Sequence, residues 1–417
     1  MSQQRFHVFH PQQRNRPPNS FYTLAENEPF RIFFPLGMLL GIIGIALWPL
    51  HYAGVIETYP LASHLRLMIH GFLGSFVIGF LFTAGPRLLS CPQPNGSIIE
   101  GLLIVSILQS VFAFLHPIAA DALFLFQLSA VLFLGLVGFK HRSDLPPPGF
   151  ILGIAGLLSA LVGAVLMLMT DLGKGGSLGY QLSRILLFQA FPVLPIIGIG
   201  AFFFPKLTKD KNPQDLPVSR YPSKQWLVRA SYAATAAFAF GFSVYLEIKG
   251  NHQFAYLLRA ATLATYLCLE TPLLIRSRGD SSQRLHLIAC SIAIVSSFAA
   301  IAFYPAQKTA WLHGFFICGL SGAIVLVATR VVFGHSGRPL LALASRKPLL
   351  WGILFLAIAA SARVFADFRP DIRITHYLYA ATFWLVVAAV WLSKVAPKVR
   401  FEEPEEPSNP LAPPRPR

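Results

Sequence analysis

Hydrophobic residues follow one another in stretches of about 20 along this chain, with short polar breaks between them. Wound as an α-helix, a stretch of about 20 residues crosses a hydrocarbon layer of about 30 Å. The breaks contain proline and glycine clusters of the kind that end helices, such as 146–148 and 173–176. The pattern predicts an all-α, polytopic transmembrane bundle. Its twelve helices are predicted at 31–50, 62–85, 98–116, 121–139, 149–170, 180–204, 225–247, 254–275, 284–304, 309–333, 348–366 and 373–396.

Composition agrees with this pattern, and the positions of the basic residues predict how the bundle is oriented in the membrane. Hydrophobic residues make up 54% of the chain and charged residues 12%, whereas soluble domains carry about 25% charged residues. The net charge of +16 does not indicate nucleic-acid binding, because the Lys and Arg residues are concentrated in the loops between apolar segments. Of these loop residues, 24 lie on the side of both termini and 5 on the opposite side. The positive-inside rule therefore predicts that both termini are cytoplasmic.

Three regions follow from the distribution of apolar residues. Residues 1–29 form a polar cytoplasmic segment, and without an apolar core and a cleavage site we predict no removable signal peptide. Residues 30–396 form the transmembrane domain. Residues 397–417 are rich in Pro and Glu and are predicted to be a disordered cytoplasmic tail. The four cysteines show no Cys-x-x-Cys pair, so we predict neither a disulfide framework nor a thiolate metal site.

Ionisable residues at membrane depth are candidate functional residues, because burying them in lipid is unfavourable unless they are paired, hydrated or ligating. No matching acids are apparent beside the arginines of the outer half, so their positive charge is predicted to be uncompensated. A haem would satisfy both the histidines and the arginines at this depth, since its iron binds neutral imidazole and its two propionates bind arginine. The candidate histidines are His64, His70, His313 and His376, and the candidate arginines are Arg66, Arg259 and Arg363.

Helical geometry separates these candidates. Arg66 and His70 are four residues apart and share a face of the second helix, whereas His64 lies about 120° around it. Counted from the outer helix ends, the depths of His64, His313 and His376 agree to within roughly 3 Å, and His70 lies deeper. We therefore predict that two of these three bind the haem and that His70 serves a second metal or a hydrogen bond. Arg66, Arg259 and Arg363 are the predicted propionate or anion partners. The remaining histidines of the spans and loops are predicted to be interfacial or structural, namely His51, His116, His141, His252, His286 and His335.

Several segments carry a family resemblance. They are Pro29-Phe30-Arg31 before the first helix, Gly71-Phe72 to Thr83-Ala84 in the second, Trp311-Leu-His313-Gly314 in the tenth, and Arg330 with the loop Gly334-His335-Ser-Gly337-Arg338. Together they make the chain similar to the NnrS family over about 30–396. That family comprises bacterial twelve-helix membrane proteins linked to nitric oxide metabolism and described as containing haem and copper. The resemblance implies a bacterial inner-membrane protein of the nitrosative-stress response, and it supports His64 and His313 as metal ligands.

One departure from the family bears on the metal site. The family usually carries His-x-His-Glu-Met at the start of the second helix, and the matching run here is His64-Leu-Arg66-Leu-Met68. Only His64 and Met68 match, so a copper site that uses the second histidine or the glutamate does not carry over. His70 is the candidate to replace the lost ligand.

Three functions remain open from the sequence: a haem protein that binds nitric oxide, a cofactor-free transporter of an anionic solute, and a structural or assembly protein. A terminal oxidase is excluded, because the sixth and seventh helices lack the histidines of its copper centre. No complete catalytic site is recognisable, and neither enzymatic turnover nor oligomeric state is predicted. The loop from Gly334 to Arg338 is assigned a packing role, with Gly334 as a left-handed helix cap.

Overall fold

The chain folds into a bundle of long helices. The structure is a computed structural model that describes residues 20–272, 281–337 and 346–401. After a short helix at Phe21–Asn27, its long helices are α1 (Phe30–Tyr52), α2 (Leu61–Leu89), α3 (Gly96–Leu115), α4 (Pro117–Lys140), α5 (Phe150–Asp171), α6 (Ser177–Thr208), α7 (Lys224–Ile248), α8 (His252–Glu270), α9 (Ser282–Phe303), α10 (Pro305–Gly334), α11 (Lys347–Phe368) and α12 (Pro370–Arg400).

Each predicted helix has its counterpart, and the all-α polytopic bundle is confirmed. Within the described residues, eleven of the helices are long and apolar enough to span a membrane. The exception is α8, which is shorter and carries the buried residues Arg259 and Glu270. The cytoplasmic orientation of both termini stays a prediction, which rests on the count of Lys and Arg residues in the loops. We call the end of the bundle that carries the described chain ends the terminal end, and the opposite end the distal end.

The helices form a closed ring, in which α12 packs against α1. Helices α2, α6 and α10 run parallel from the distal to the terminal end and are more deeply buried than the other candidate spans. Each contains a π-helical segment, at Leu67–Leu73, Leu186–Ala190 and Phe315–Ser321. In α6 the segment ends just before Pro192, whose missing N–H and ring disfavour the ordinary α-helical bond there. The sequence shows no internal repeat, but these three helices recur at every fourth position in the ring.

A cluster of charged residues joins the chain ends at the terminal end. Arg31 donates to the carbonyl oxygens of Val399 (2.5 Å) and His335 (3.0 Å), and its guanidinium pairs with Glu28 at 2.5 Å. Glu28 also binds Arg87 and accepts from Nδ1 of His335 at 2.6 Å. We call Glu28, Arg31, Arg87 and His335 the terminal cluster. It connects the chain before α1 to α2, to the loop after α10 and to the end of α12.

Two details of the predicted ends are corrected by this packing. The tail prediction began at 397, but Ala396–Arg400 forms a 3-10 helix with Val399 buried against Arg31. Gly334 is not a left-handed cap, because it is the last helical residue and the left-handed residue is Gly337, with φ of 63°. Arg338 and the segments 1–19 and 402–417 lie outside the described residues.

Candidate functional site

Two of the predicted haem ligands lie close together near the distal end. His64 on α2 and His313 on α10 are near enough to interact electrostatically, and both interact in the same way with Arg363 on α11. His64 is buried, whereas His313 and Arg363 each retain some accessible surface. We call these three residues, with Asp367 and Tyr377, the histidine site. Helices α1, α2, α10, α11 and α12 surround it.

Both imidazoles are oriented in the way that suits a metal ligand. Nδ1 of His64 lies 2.9 Å from the carbonyl oxygen of Gly44, and Nδ1 of His313 lies 2.8 Å from that of Thr309. A backbone carbonyl can accept only from a protonated Nδ1, so these contacts place the lone pair of each neutral ring on Nε2. No described residue hydrogen-bonds either Nε2 atom. Metal-ligating histidines commonly have this arrangement, because the carbonyl fixes both the tautomer and the orientation of the ring.

The position of His64 depends on close packing between α1 and α2. A Cβ atom on Gly44 would lie 3.1 Å from Cβ of Leu67 and 3.2 Å from Sδ of Met68, so only glycine fits without displacement. On the other side, the ring of Trp48 packs edge-on against His64 with centroids 5.7 Å apart. Helix α1 thus supplies both the hydrogen-bond acceptor for His64 and one wall of the site.

Arg363 has a carboxylate partner within its own helix. Its Nη1 donates to Oδ1 of Asp367 at 3.0 Å, and the hydroxyl of Tyr377 donates to the same oxygen at 2.6 Å. The guanidinium also lies over the ring of Tyr377, 4.3 Å from its centroid. One carboxylate oxygen therefore takes one of the five guanidinium N–H donors, and further donors stay available to an anion.

The other two predicted arginine partners are also paired, which corrects the expectation of uncompensated charge. Arg66 binds both carboxylate oxygens of Asp121, at 2.8 and 2.7 Å, and reaches Asp171 at 2.7 Å. Arg259 is fully buried and pairs with Glu247 at 2.6 Å. Asp121 and Glu247 both turn inward and are buried.

Arg259 belongs to a separate cluster between α6, α7, α8 and α10. It donates to Gln189 at 2.6 Å and to Ser243 at 2.9 Å, in addition to its ion pair with Glu247. Glu247 also accepts from Lys308 at 2.6 Å and from the hydroxyl of Tyr256 at 3.0 Å. We call these six residues the carboxylate network. It does not include any of the predicted histidines.

His70 and His376 do not join His64 and His313. His70 lies on another face of α2, where its ring stacks on Phe124 of α4 with centroids 3.8 Å apart. His376 lines a groove between α11 and α12 with Phe365 and Tyr379. His64 and His70 therefore contact different neighbours of α2, namely α1 and α4. The set His64, His70 and His313 forms no common metal site, and within the described chain no three His, Cys, Asp or Glu side chains form a candidate metal-ligand group.

Sequence reasoning missed several residues that shape these sites. Asp367 follows Arg363 by four residues, a spacing that places both on one helix face, and this signal was available. Gln189 precedes Pro192 in the π-helical segment of α6, a position where backbone irregularity often accompanies function. Tyr377 gave no signal, because its contact with Asp367 depends on how α11 packs against α12.

The histidine site offers nitrogen donors for a metal and a guanidinium for an anion. Two neutral imidazoles offer unpaired Nε2 atoms, and a guanidinium with spare donors lies beside them. These donors fit a haem, whose iron takes imidazole nitrogen and whose propionates take arginine. The donor set does not fit copper in the way the family resemblance implies, because His70 is directed to a different part of the bundle.

Comparison with known proteins places the chain in a family. The model of the family described as NnrS protein matches residues 26–400, which is nearly the whole chain and includes all twelve helices. No curated protein matches the sequence. The matched region contains His64, His313 and Arg363, as well as all four residues of the terminal cluster. The chain is an integral membrane protein that belongs to the NnrS family.

Proposed function

We propose that this protein binds a haem between His64 and His313 and acts in the response of bacteria to nitric oxide, in the inner membrane. The observation that carries the proposal is the pair of imidazoles whose Nδ1 atoms are held by backbone carbonyls while both Nε2 atoms are unpaired. Family membership supports the connection with nitric oxide. Together they favour a membrane haem protein over a structural or assembly protein.

Each residue of the histidine site has a role in this proposal. His64 and His313 would hold the iron, and the carbonyls of Gly44 and Thr309 hold their rings in the ligating tautomer. Arg363 would bind a propionate with the donors that Asp367 leaves unused. A bound haem would supply an iron that undergoes one-electron chemistry and has affinity for diatomic ligands such as nitric oxide. We assign no copper site.

The alternative of a cofactor-free transporter for an anionic solute loses its main support. That hypothesis rested on membrane arginines without partners, and Arg66, Arg259 and Arg363 each have a carboxylate within ion-pair distance. At Arg66 and Arg259 a solute anion would have to compete with these acids. Arg363 keeps spare donors, and it lies beside two unpaired imidazole nitrogens, an arrangement that suits a haem better than a solute anion alone.

The test is to replace the two ligands and measure haem directly. The variants His64→Ala and His313→Ala should each lose most of the bound haem per folded protein, or change its Soret absorption, after expression with haem supplied. His252→Ala is the matched control, because His252 lies at the same end of the bundle but is exposed. Equal retention of haem and of the parent spectrum in both ligand variants, with folding confirmed by chromatography, would show that the site is misplaced.

A further inference from the structure

A cavity with an apolar lining lies inside the bundle, between α1, α2, α5, α6 and α10. Its volume is about 130 Å³, and the described residues that line it are Phe, Leu, Ile, Val, Pro, Ala and Gly. Helices α2, α6 and α10 contribute most of the wall, which extends from Leu73, Pro192 and Ala323 towards the terminal end. We call this the apolar cavity.

The cavity begins where the three π-helical segments end. The wall of α2 begins at Leu73, the last residue of its π-helical segment, and the walls of α6 and α10 begin at Pro192 and Ala323, each two residues after the segment. The wider turns therefore lie on the distal side of the cavity in all three helices. On the other side of these turns is the histidine site, because His64 and His313 precede the segments of α2 and α10 by three and two residues. π-Helical turns of this kind often accompany functional sites.

Close contact between α5 and α6 keeps the cavity from being closed by helix movement. A Cβ atom on Gly156 would lie 2.4 Å from Cδ of Pro195, so the two backbones already meet there. One turn away, Gly153 lines the cavity and has no side chain that could enter it. The two helices cannot move closer to fill the space, which is therefore a fixed feature of the packing.

The lining determines what the cavity can hold. Water in a protein interior needs about two to four polar partners, and the described side chains that line the cavity neither donate nor accept hydrogen bonds. A quinone ring or a lipid head group would leave its own polar atoms unpaired for the same reason. In contrast, a dry cavity of about 150 Å³ lined by Leu, Ile and Phe binds benzene or xenon. The volume and the lining of the apolar cavity match that case, so small apolar molecules fit it.

The bilayer is the source from which such molecules can enter. All lining residues belong to helices that are long and apolar enough to span a membrane. Ile154 of α5 is part of the wall and is 50% exposed, so the wall reaches the outer surface of the bundle. Phe80 of α2 and Phe203 of α6 are also in the wall, and their rings meet edge-on with centroids 5.1 Å apart. Side chains alone therefore separate the cavity from lipid.

We propose that the apolar cavity binds small apolar molecules that arrive through the bilayer, and that it supplies nitric oxide to the histidine site. Nitric oxide is smaller than benzene, needs no hydrogen-bond partner and dissolves better in hydrocarbon than in water. One π-helical segment of seven residues in α2, and one of seven in α10, lie between the cavity and the two histidines. The assignment to nitric oxide rests on the haem function proposed above, whereas the binding of small apolar molecules does not.

Xenon tests the cavity without any haem. In the full chain, prepared free of haem in lipid nanodiscs and labelled with ¹³C at Ala and Ile methyl groups, the signals of Ala323 and Ile324 should shift with xenon pressure and saturate. Ile99 is buried in a separate apolar cluster, and its signal should shift several-fold less. Equal shifts at the three residues would overturn the site. Nuclear Overhauser contacts from lipid chains to Ala323 without a saturable xenon shift would also overturn it, because an acyl chain would then be the occupant.

Two variants with opposite effects on volume test whether the cavity itself is responsible. Val327→Phe fills the cavity from α10 and should abolish the saturable shift of Ala323. Ile324→Ala enlarges the cavity and should lower the xenon pressure at half saturation. Val390→Phe is the matched control for the first variant, since Val390 is exposed on α12 and is not in the wall. An unchanged xenon response in both cavity variants would contradict the proposal.

Supply of nitric oxide is tested by stopped-flow mixing with the haem-loaded protein. Val327→Phe should slow nitric oxide association several-fold at unchanged haem content and Soret spectrum, whereas Val390→Phe should not. Xenon binding together with an unchanged association rate would overturn the assignment to nitric oxide. A parent protein that binds no haem would overturn that assignment along with the proposed function, and the xenon measurement would still decide whether the cavity is a binding site.

Discussion

The histidine site and the carboxylate network both place an arginine and an acid inside the bundle, yet they differ in how accessible their unpaired atoms are. In the carboxylate network these atoms, Nη2 of Arg259 and Oε2 of Glu247, are buried. In the carboxylate network, Arg259 and Glu247 are fully buried, and Gln189, Ser243, Tyr256 and Lys308 bind to them. In the histidine site, Arg363 has one side-chain acceptor, and two imidazoles keep an unpaired nitrogen. The comparison teaches that a buried charge alone does not mark a ligand site. Unused hydrogen-bonding capacity beside accessible surface does.

The same chemical change at the two acids should separate these roles most strongly. Glu247→Gln leaves Arg259 and Lys308 without an acid in a buried position, and we expect a loss of about 3–5 kcal/mol in unfolding free energy. Asp367→Asn removes the acid from Arg363, which is already partly accessible. We expect a loss below about 2 kcal/mol in unfolding free energy, with haem binding retained. Denaturant unfolding in detergent measures both values. Similar losses of unfolding free energy in the two variants would mean that the carboxylate network and the histidine site do not differ in this way.

Acid should release the terminal cluster. Burial raises the pKa of Glu28, but the hydrogen bond and charge of His335 and the charge of Arg31 outweigh it and lower that pKa from 4.5 to about 2. The folded pKa is below the unfolded one, so Glu28 contributes stability that is complete above about pH 4.5 and disappears as the pH falls towards 2. The effect is on the order of 3 kcal/mol. Stability measured from pH 6 to pH 3 should fall more steeply in the parent than in Glu28→Gln.

Packing of α1 against the histidine site can be tested at Gly44. Gly44→Val should lose about 1–3 kcal/mol by overpacking against Leu67 and Met68, and should also weaken haem binding by moving the carbonyl that holds His64. Gly101→Val is the matched control, since a Cβ there meets no atom within 4 Å. Loss of stability without any change in haem content would show that the orientation of His64 does not depend on α1.

The smallest effect is expected at His376, which marks the edge of the histidine site. This residue lies in the groove between α11 and α12, and we expect His376→Ala to change stability by less than about 0.5 kcal/mol. Haem content should stay at the parent level. Loss of haem comparable to that of His313→Ala would restore the sequence-based prediction that His376 is a ligand.

Much of the fold could be predicted because lipid imposes a simple rule on each segment. A run of about 20 apolar residues must be helical in a membrane, so twelve helix positions follow from local composition. Depth along each helix also follows from counting residues, and it grouped His64 with His313. The direction of a side chain around the helix axis is known only relative to its own helix. Equal depth therefore led to the prediction that His376 lies with His64 and His313, although on α12 it faces a groove.

Pairing of charges could not be predicted for the same reason. Asp121 and Glu247 are near helix ends in the sequence, and whether they turn inward depends on the neighbours that each helix meets. Arg66 finds its acids on α4 and α5, 55 and 105 residues away. Of the three arginines predicted as anion partners, Arg363 alone has its acid within one helix turn, where spacing could reveal it. The terminal cluster joins residues more than 300 positions apart, which local patterns cannot reveal.

The π-helical segments of α2, α6 and α10 give these helices a way to absorb a change in length. Each segment holds an extra residue in a wider turn, so deleting one residue there lets the helix return to ordinary α-helical winding. The helical stretches on either side can then keep their places in the bundle. In α2 the segment lies just after His64 and includes His70, so removing a residue between them would move His70 around the helix while leaving His64 against α1. A single insertion or deletion can thus alter the surroundings of His70 without rebuilding the histidine site.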